Sequence, residues 1–214
     1  MVNQLIQKKG KTPIGKETPK PIIVSPSIIN LESKLQQGFG NFNEGMAAFL
    51  GLKKEHDALL PLLTNRAVAD TLVNTDRLKT LTDSLYLQGL TLLLQTLDIS
   101  QQVGATNTTA LELETKELKE DLDKCSSASI KTMIEERLEK NTKCLKLVKS
   151  HRDRLDEILM QVGLCKDSIR EIRLELPELL NHKAQDELDK VMLELKTRIE
   201  FAQRVHEEYN RQGL

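Results

Sequence analysis

The four histidines are the first side chains to test for chemistry, because imidazole is the commonest metal ligand and a frequent general base. A helix brings two ligands to one face when they follow an HExxH or ExxH pattern. None of the four belongs to either pattern. His182 and Asp186 are four residues apart, which is typical of a surface hydrogen bond. The sequence therefore predicts no metal site. The histidines are His56, His151, His182 and His206.

The three cysteines, Cys125, Cys144 and Cys165, form no CxxC pair. An odd number of cysteines within helical sequence fits a reducing compartment better than a disulfide framework. Cys144 and Cys165 lie on one face of the same predicted helix but too far apart to share a metal, so we interpret them as small core residues. Cys125 is expected to be accessible, yet no neighbouring base marks it as a nucleophile.

The glycines give no phosphate-binding pattern, because Gly38-x-Gly40 follows a helix instead of a strand and no GK[ST] triplet occurs. The acidic residues of the segment 117–123 alternate with lysines, which is typical of a solvated helix face. We therefore predict no catalytic residue, no cofactor-binding residue, no metal ligand and no cofactor. The chain is expected not to be an enzyme.

The composition predicts the elements that any functional residues must sit on. Of the 214 residues, 39% are hydrophobic and 29% charged, but only 3% are aromatic and none is tryptophan. A leucine-rich chain with abundant Glu and Lys is typical of long helices and coiled coils. We predict an all-α fold, an elongated helical bundle with a long antiparallel coiled-coil hairpin.

The net charge of −1 is unevenly distributed. Residues 1–26 carry five lysines against Glu17, a net charge of +4, which leaves −5 on the remaining chain. This proline- and lysine-rich segment is predicted to be a disordered tail. The acidic remainder does not suit nucleic-acid binding. Because no secretory signal and no span of about 20 apolar residues is found, we expect a cytoplasmic, soluble protein.

Turn signals divide the chain into the tail, an N-terminal helical body (27–107) and coiled-coil helices (108–214). In the body, helices are predicted from Ile28 to Gln37, Asn43 to Leu60, Arg66 to Val73 and Asp76 to Gln102, the last being apolar on most sides and thus the most buried. The later helices are predicted over 109–124, over 129–176 and over 183–210. The first of them is expected to begin at a cap on Thr108 or Thr109, and Glu112 completes a capping box if Thr109 is the cap.

The helix over 129–176 has the strongest pattern. With Ile134 as position a, all but three of its fourteen a and d positions are apolar. Its first half has extra apolar residues at e and g, which predicts several partner helices, whereas the second half narrows to a two-stranded seam. We expect the first half to lie in a bundle and the second half to form a stalk with the last helix. Pro177 is expected to end or kink the helix.

Polar residues interrupt this seam. Arg137 at d and Asn141 at a are one turn apart. They are either buried residues that fix register and partner number, or residues exposed where the partner helix begins or ends. His151 at d is interpreted as a partly exposed or partner-bonded core histidine, with a pH switch or a ligand as the alternative.

Phenylalanines cluster near the N-terminus, and two hypotheses explain them. The segment either packs as a helix over the end of the bundle, or lies at a membrane or partner surface together with the basic tail. Its residues are Phe39, Phe42, Met46 and Phe49, followed by Lys53 and Lys54.

The sequence favours a non-enzymatic helical scaffold, adaptor or tethering protein that acts through protein–protein interaction. Its recognition elements are expected at the stalk tip (175–186) and in the basic tail. A homodimer that pairs through the narrow half of the long helix is an open possibility. The alternatives are a peripheral membrane-associated helical protein that uses Phe39–Lys54, and a non-catalytic subunit of an enzyme complex.

Overall fold

The structure of the chain, a computed structural model, describes residues 26–40, 42–64, 75–182 and 185–211. Within those ranges 94% of the residues are helical and no strand occurs, which confirms the prediction of an all-α helical bundle. The six helices described are α1 (Pro26–Gly38), α2 (Asn43–Leu63), α3 (Thr75–Gly104), α4 (Thr108–Lys124), α5 (Ala128–His182) and α6 (Gln185–Arg211).

The end of α2 and the N-cap of α4 differ from the predictions. Helix α2 continues through Pro61 to Leu63, where Thr64 closes it by donating its backbone N–H to the carbonyl of Leu60 at 3.0 Å. Helix α4 is capped by Asn107 and by neither Thr108 nor Thr109, since the Asn107 side chain accepts the backbone N–H of Ala110 at 3.0 Å.

Pro177 was expected either to end or to kink the long helix, and the first of these alternatives is wrong. Helix α5 continues to His182 with Pro177 inside it. Proline removes one backbone hydrogen bond, but its exposed ring needs no space in the core. The adjacent Leu176 is buried, so packing of this turn against the core favours continued helix.

Helix α3 is the centre of the molecule, as its apolar residues on several faces predicted. It packs against α1, α2, α5 and α6. Its buried Thr82 and Thr96 donate their hydroxyls to carbonyls of the same helix at 2.9 and 2.8 Å, so they leave no unsatisfied donor in the core. At Gly89 an added Cβ would lie 2.5 Å from Leu52 Cδ2, which shows how closely α2 approaches α3.

Helix α5 has two environments. From Leu155 to Leu176 its buried residues belong to one continuous core with α1, α2, α3 and α6, whereas none before Leu155 does. This reverses the predicted arrangement, because the second half lies in the bundle and the first half lies outside it. The core also crosses the boundary that was predicted at 107/108. At 55 residues the helix is about 82 Å long, against a radius of gyration of about 17 Å for a compact chain of this size, so the molecule is elongated.

Helix α6 packs on the second half of α5 and on α3. Arg198 on α6 pairs with Glu171 on α5 at 3.6 Å. The seam that was considered for a homodimer is therefore occupied by helices of the same chain. The long antiparallel coiled-coil hairpin stays a prediction.

Three predicted segments lie outside the described residues. They are the basic tail up to residue 25, the short helix Arg66 to Val73, and most of the side chains at the proposed stalk tip, from 178 to 186.

Candidate interaction surface

Two helices project from the core and form what we call the arm, which consists of α4 and residues 128–150 of α5. Residues 125–127 join them. Arg152 donates from Nη2 to Thr108 Oγ1 at 3.4 Å, and Arg137 pairs with Glu114. The earlier α4 residue, Thr108, contacts the later α5 residue, Arg152, and the later α4 residue, Glu114, contacts the earlier α5 residue, Arg137. The two helices therefore run antiparallel. Helix α4 packs substantially on α5 alone among the described helices.

The arm leaves apolar side chains of α5 exposed. Ile130, Met133 and Leu147 are 51%, 68% and 50% exposed, although large aliphatic residues are usually buried. Ile130 and Met133 are three residues apart, and Leu147 follows Met133 by fourteen residues, close to four helical turns, so the three lie on one side of the helix. We call this side the stripe, and it comprises Ile130, Met133, Arg137, Lys140, Cys144 and Leu147.

The stripe is basic as well as apolar. Helix α4 has six acidic and three basic residues, a net charge of −3, whereas residues 128–150 have six basic and three acidic residues, a net charge of +3. The two helices of the arm therefore attract each other. Within the stripe both charged residues, Arg137 and Lys140, are basic, so an incoming partner meets apolar groups with positive charge between them.

The structure separates the two polar residues of the predicted seam. The Arg137 side chain is 65% exposed and pairs with Glu114, so it lies at the edge of the arm and not in a buried seam. Asn141 is only 9% exposed, and its Nδ2 has no hydrogen-bond partner among the described residues. Asn141 alone therefore has the burial that a register residue requires.

His151 lies where the arm meets the core, next to Arg152. Its side chain is buried, and Nδ1 has no hydrogen-bond partner in the part of the chain that the structure describes. The structure thus supplies no partner bond at that nitrogen. A pH-dependent role for His151 stays a prediction.

The phenylalanine cluster faces the core. Phe39 and Phe49 are fully buried, and Phe42 and Met46 pack partly buried against the core. The rings of Phe39 and Phe42 are 5.9 Å apart, and Gly45 admits them, because an added Cβ would lie 2.5 Å from both. This placement matches the packed-helix hypothesis. A membrane or partner reaches Phe39 and Phe49 only if α2 leaves the body.

A polar cluster between α2 and α3 was not found from the sequence. The ring of His56 stacks on that of Tyr86, with centroids 3.9 Å apart, and its Nε2 lies 3.0 Å from Asp83 Oδ1. Lys79 donates to the other oxygen of Asp83 at 2.6 Å. Burial alone raises the pKa of Asp83, but hydrogen bonds from His56 and Lys79 outweigh it and hold that pKa below its usual value.

The same cluster reaches α1 through Tyr86. Its hydroxyl donates to Glu32 Oε1 at 2.6 Å, and Lys53 donates to both oxygens of Glu32 at 2.9 and 2.8 Å. Burial first, and then the bond to Glu32, raises the pKa of Tyr86 far above its usual value. Burial lowers the pKa of Lys53, but Glu32 and Asp57 more than compensate, so it is raised.

The groups of this cluster are hydrogen-bonded to one another. Hydrogen bonds from His56 and Lys79 favour the ionised form of Asp83, and Tyr86 donates its hydroxyl proton to a hydrogen bond with Glu32. We therefore interpret the cluster as a polar clamp that joins α1, α2 and α3. Only its pairs within one helix, such as Lys79 with Asp83 at i, i+4, have a sequence signal. The Tyr86–Glu32 bond spans 54 residues and has none.

The described residues contain neither a metal-binding cluster nor a membrane-spanning helix. In residues 26–40, 42–64, 75–182 and 185–211, no three His, Cys, Asp or Glu side chains are grouped so that they can hold a metal ion. None of the helices in these ranges has the length and apolar character needed to cross a membrane. Comparisons with protein-family models, curated proteins and solved structures give no match.

Proposed function

We propose that the protein is a non-enzymatic helical interaction protein that binds a partner protein through its arm. The observation that carries this proposal is the exposed stripe on α5. The extra apolar residues of this segment predicted several neighbouring helices, yet α4 is the one described helix that packs substantially there. A helix from a partner supplies the missing neighbour.

The stripe offers a partner three aliphatic anchors. Covering a half-exposed Ile, Met or Leu contributes roughly 1 kcal/mol, so three anchors contribute about 3 kcal/mol. Micromolar binding needs about 8 kcal/mol. The remainder has to come from further contacts, and the charges of the stripe determine which contacts are favourable.

The charges favour an acidic, amphipathic helix as the partner. Such a helix places apolar residues on Ile130, Met133 and Leu147, and carboxylates near Arg137 and Lys140. A second copy of the stripe is disfavoured, because both parallel and antiparallel pairing bring these basic side chains together at the centre. Nucleic acid is disfavoured by the acidic α4 beside the stripe.

The other expectations fit around this proposal. A partner that is itself an enzyme makes this chain a non-catalytic subunit, which is a special case of the same function. The cytoplasm is the proposed compartment, because three cysteines without a CxxC pair fit a reducing environment better than a disulfide framework. The membrane-associated alternative has no support from the described residues, because Phe39 and Phe49 face the core.

Site-specific photocrosslinking tests the proposal. A benzophenone side chain replaces Met133 in one protein and Leu193, an equally exposed leucine on α6, in a matched control. We expect Met133 to crosslink one discrete partner segment in cells, and that segment to be an acidic amphipathic helix. A synthetic peptide of the segment should bind the purified chain, and more weakly as salt rises.

Charge substitutions on the stripe complete the test. The triple variant Ile130→Glu, Met133→Glu, Leu147→Glu should lose the peptide, whereas Leu174→Glu, Leu193→Glu should retain it. All these positions are at least half exposed, so both variants should fold, which circular dichroism checks. Peptide binding that survives the triple variant, or crosslinks that are identical from Met133 and Leu193, would contradict the proposal.

A further inference from the structure

The helices of the shared core, namely α1, α2, α3, α6 and the second half of α5, form what we call the body, and a second surface feature lies on it, away from the arm. A recess of about 200 Å³ opens between the second half of α5 and α6. Cys165 and Ala202 are buried at its base, and Leu164 and Phe201, which are 43% and 45% exposed, form its sides. Phe201 is therefore an aromatic ring that leaves nearly half of its surface uncovered beside an open apolar space.

Two arginines, Arg198 and Arg204, border this space. The Arg204 guanidinium lies 5.8 Å from the centre of the Phe201 ring, and its Nε makes a long bond of 3.4 Å to the backbone carbonyl of Glu200 in its own helix. Arg198 pairs with the half-exposed Glu171 at a loose 3.6 Å. Both arginines therefore have hydrogen-bonding capacity left for an anion.

Among the described residues, the lining itself holds no negative group, since Glu171, the partner of Arg198, lies outside it. The described residues that line it include no Asp or Glu. Burial raises the pKa of the Cys165 thiol to about 12, and Arg198 only partly opposes that rise, so the thiol is neutral at physiological pH. The lining is thus apolar at the base and positive at the rim.

We propose that this recess binds a small apolar monocarboxylate, with its hydrocarbon group between Leu164 and Phe201 and its carboxylate at Arg198 and Arg204. The size of the recess limits the ligand, because an apolar cavity of about 150 Å³ accommodates benzene. A ring or branched group of about six to eight carbons fills the space, and a long acyl chain exceeds it. The guanidinium fork matches a planar carboxylate in geometry as well as charge.

Two probes that share one carbon skeleton and differ in the head group, an anionic carboxylate or a neutral hydroxyl, test the assignment. The first is 3-phenylpropionate, and the second is its neutral counterpart 3-phenyl-1-propanol. Both are titrated into the full chain at low salt and followed by backbone NMR shifts. We expect shifts centred on 161–165 and 197–204, and an affinity for the acid about tenfold higher than for the alcohol, because charge-assisted hydrogen bonds are added to the same apolar contact.

Variants separate the two parts of the site. Replacing both arginines, Arg198→Gln and Arg204→Gln, should remove the preference for the acid and leave the alcohol unaffected. Filling the recess with Leu164→Trp should abolish binding of both probes, whereas Leu193→Trp, on an exposed part of α6, should not. Each substituted position is partly or fully exposed, so the fold should be retained, which circular dichroism checks.

Three results would overturn the assignment. They are no binding of either probe at millimolar concentration, equal affinity for acid and alcohol, and unchanged binding in Leu164→Trp. The triple glutamate variant of the stripe should bind 3-phenylpropionate like the wild type. These measurements therefore distinguish a failure of the ligand-binding proposal for the recess from a failure of the partner-binding proposal for the arm.

Discussion

The two halves of α5 share one heptad pattern and have opposite environments. Ile169 in the body is completely buried, whereas Ile134, at the same heptad position in the arm, is only partly buried. The difference lies in the number of neighbours, since the second half meets α2, α3 and α6 and the first half meets α4. A heptad pattern thus indicates which side of a helix can be buried, and the rest of the chain determines whether it is.

This difference in neighbours should produce a difference in stability. Residues of the body share one core, whereas the arm has few buried apolar side chains, among them Leu118 and Val148. Segments with few buried contacts open locally at a lower free energy than the core. The arm is therefore expected to open independently while the body stays folded.

The largest effect is expected from truncating the same heptad position in the two halves. Ile169→Ala should lower the free energy of unfolding by about 2–5 kcal/mol, because it leaves a cavity in the shared core. Ile134→Ala should lower it by less than about 1 kcal/mol, because water reaches that site. Urea denaturation followed by circular dichroism measures both. Equal losses would show that the arm and the body share one cooperative core.

The sequence predicted the helices well because their apolar spacing is a local property. It did not predict which half of α5 enters the body, because the buried face of the second half includes residues that count as polar. Ser168 is buried, but it satisfies its hydroxyl by donating to the carbonyl of Leu164 at 2.8 Å. Because a residue such as Ser168 counts as polar in the sequence, the buried face of this half is wider than its apolar residues alone indicate.

The candidate surfaces were predictable only in part. The extra apolar residues of 130–147 indicated a wide face, but their exposure depends on helices that pack elsewhere. The recess and the polar clamp join residues far apart in the chain, such as Leu164 with Phe201 and Glu32 with Tyr86. A single sequence has no periodicity that relates such positions.

Electrostatics give a second, smaller contrast between body and arm. The body holds Asp83 between His56 and Lys79, and its pKa is lowered from 3.8. An acid with a lowered pKa contributes stability that is present above its unfolded pKa and lost as the pH falls through its folded pKa. We expect Asp83→Asn to lose less stability than the wild type between about pH 5 and pH 3.

Two controls accompany this pH measurement, which uses urea midpoints across the range. Asp98→Asn, at an exposed site on the same helix, should follow the wild-type pH dependence. Glu139→Gln breaks an arm pair with Lys143 whose side chains are both largely exposed, and should change the midpoint little. A wild-type acid slope in Asp83→Asn would show that the clamp does not contribute to acid stability.

The smallest effect concerns Asn141, the buried polar residue of the arm. Its Nδ2 has no hydrogen-bond partner among the described residues, and an unsatisfied buried donor costs about 1–3 kcal/mol. Asn141→Leu replaces it with an apolar group at a position that Val148 occupies one heptad later, so we expect the arm to open less readily by about 1 kcal/mol.

Native-state hydrogen exchange detects this gain, because it resolves amides of α4 from those of the body. Amides of α4 should exchange about fivefold more slowly in Asn141→Leu, and amides of α3 should be unchanged, since the body opens separately. The exposed neighbour Thr142→Leu should alter neither set.

Light scattering should give the same mass for all three proteins, because α4 already covers this position. A changed mass would instead identify Asn141 as a residue that sets partner number. Faster exchange in α4 would mean that its amide makes a hydrogen bond in solution that holds the arm together.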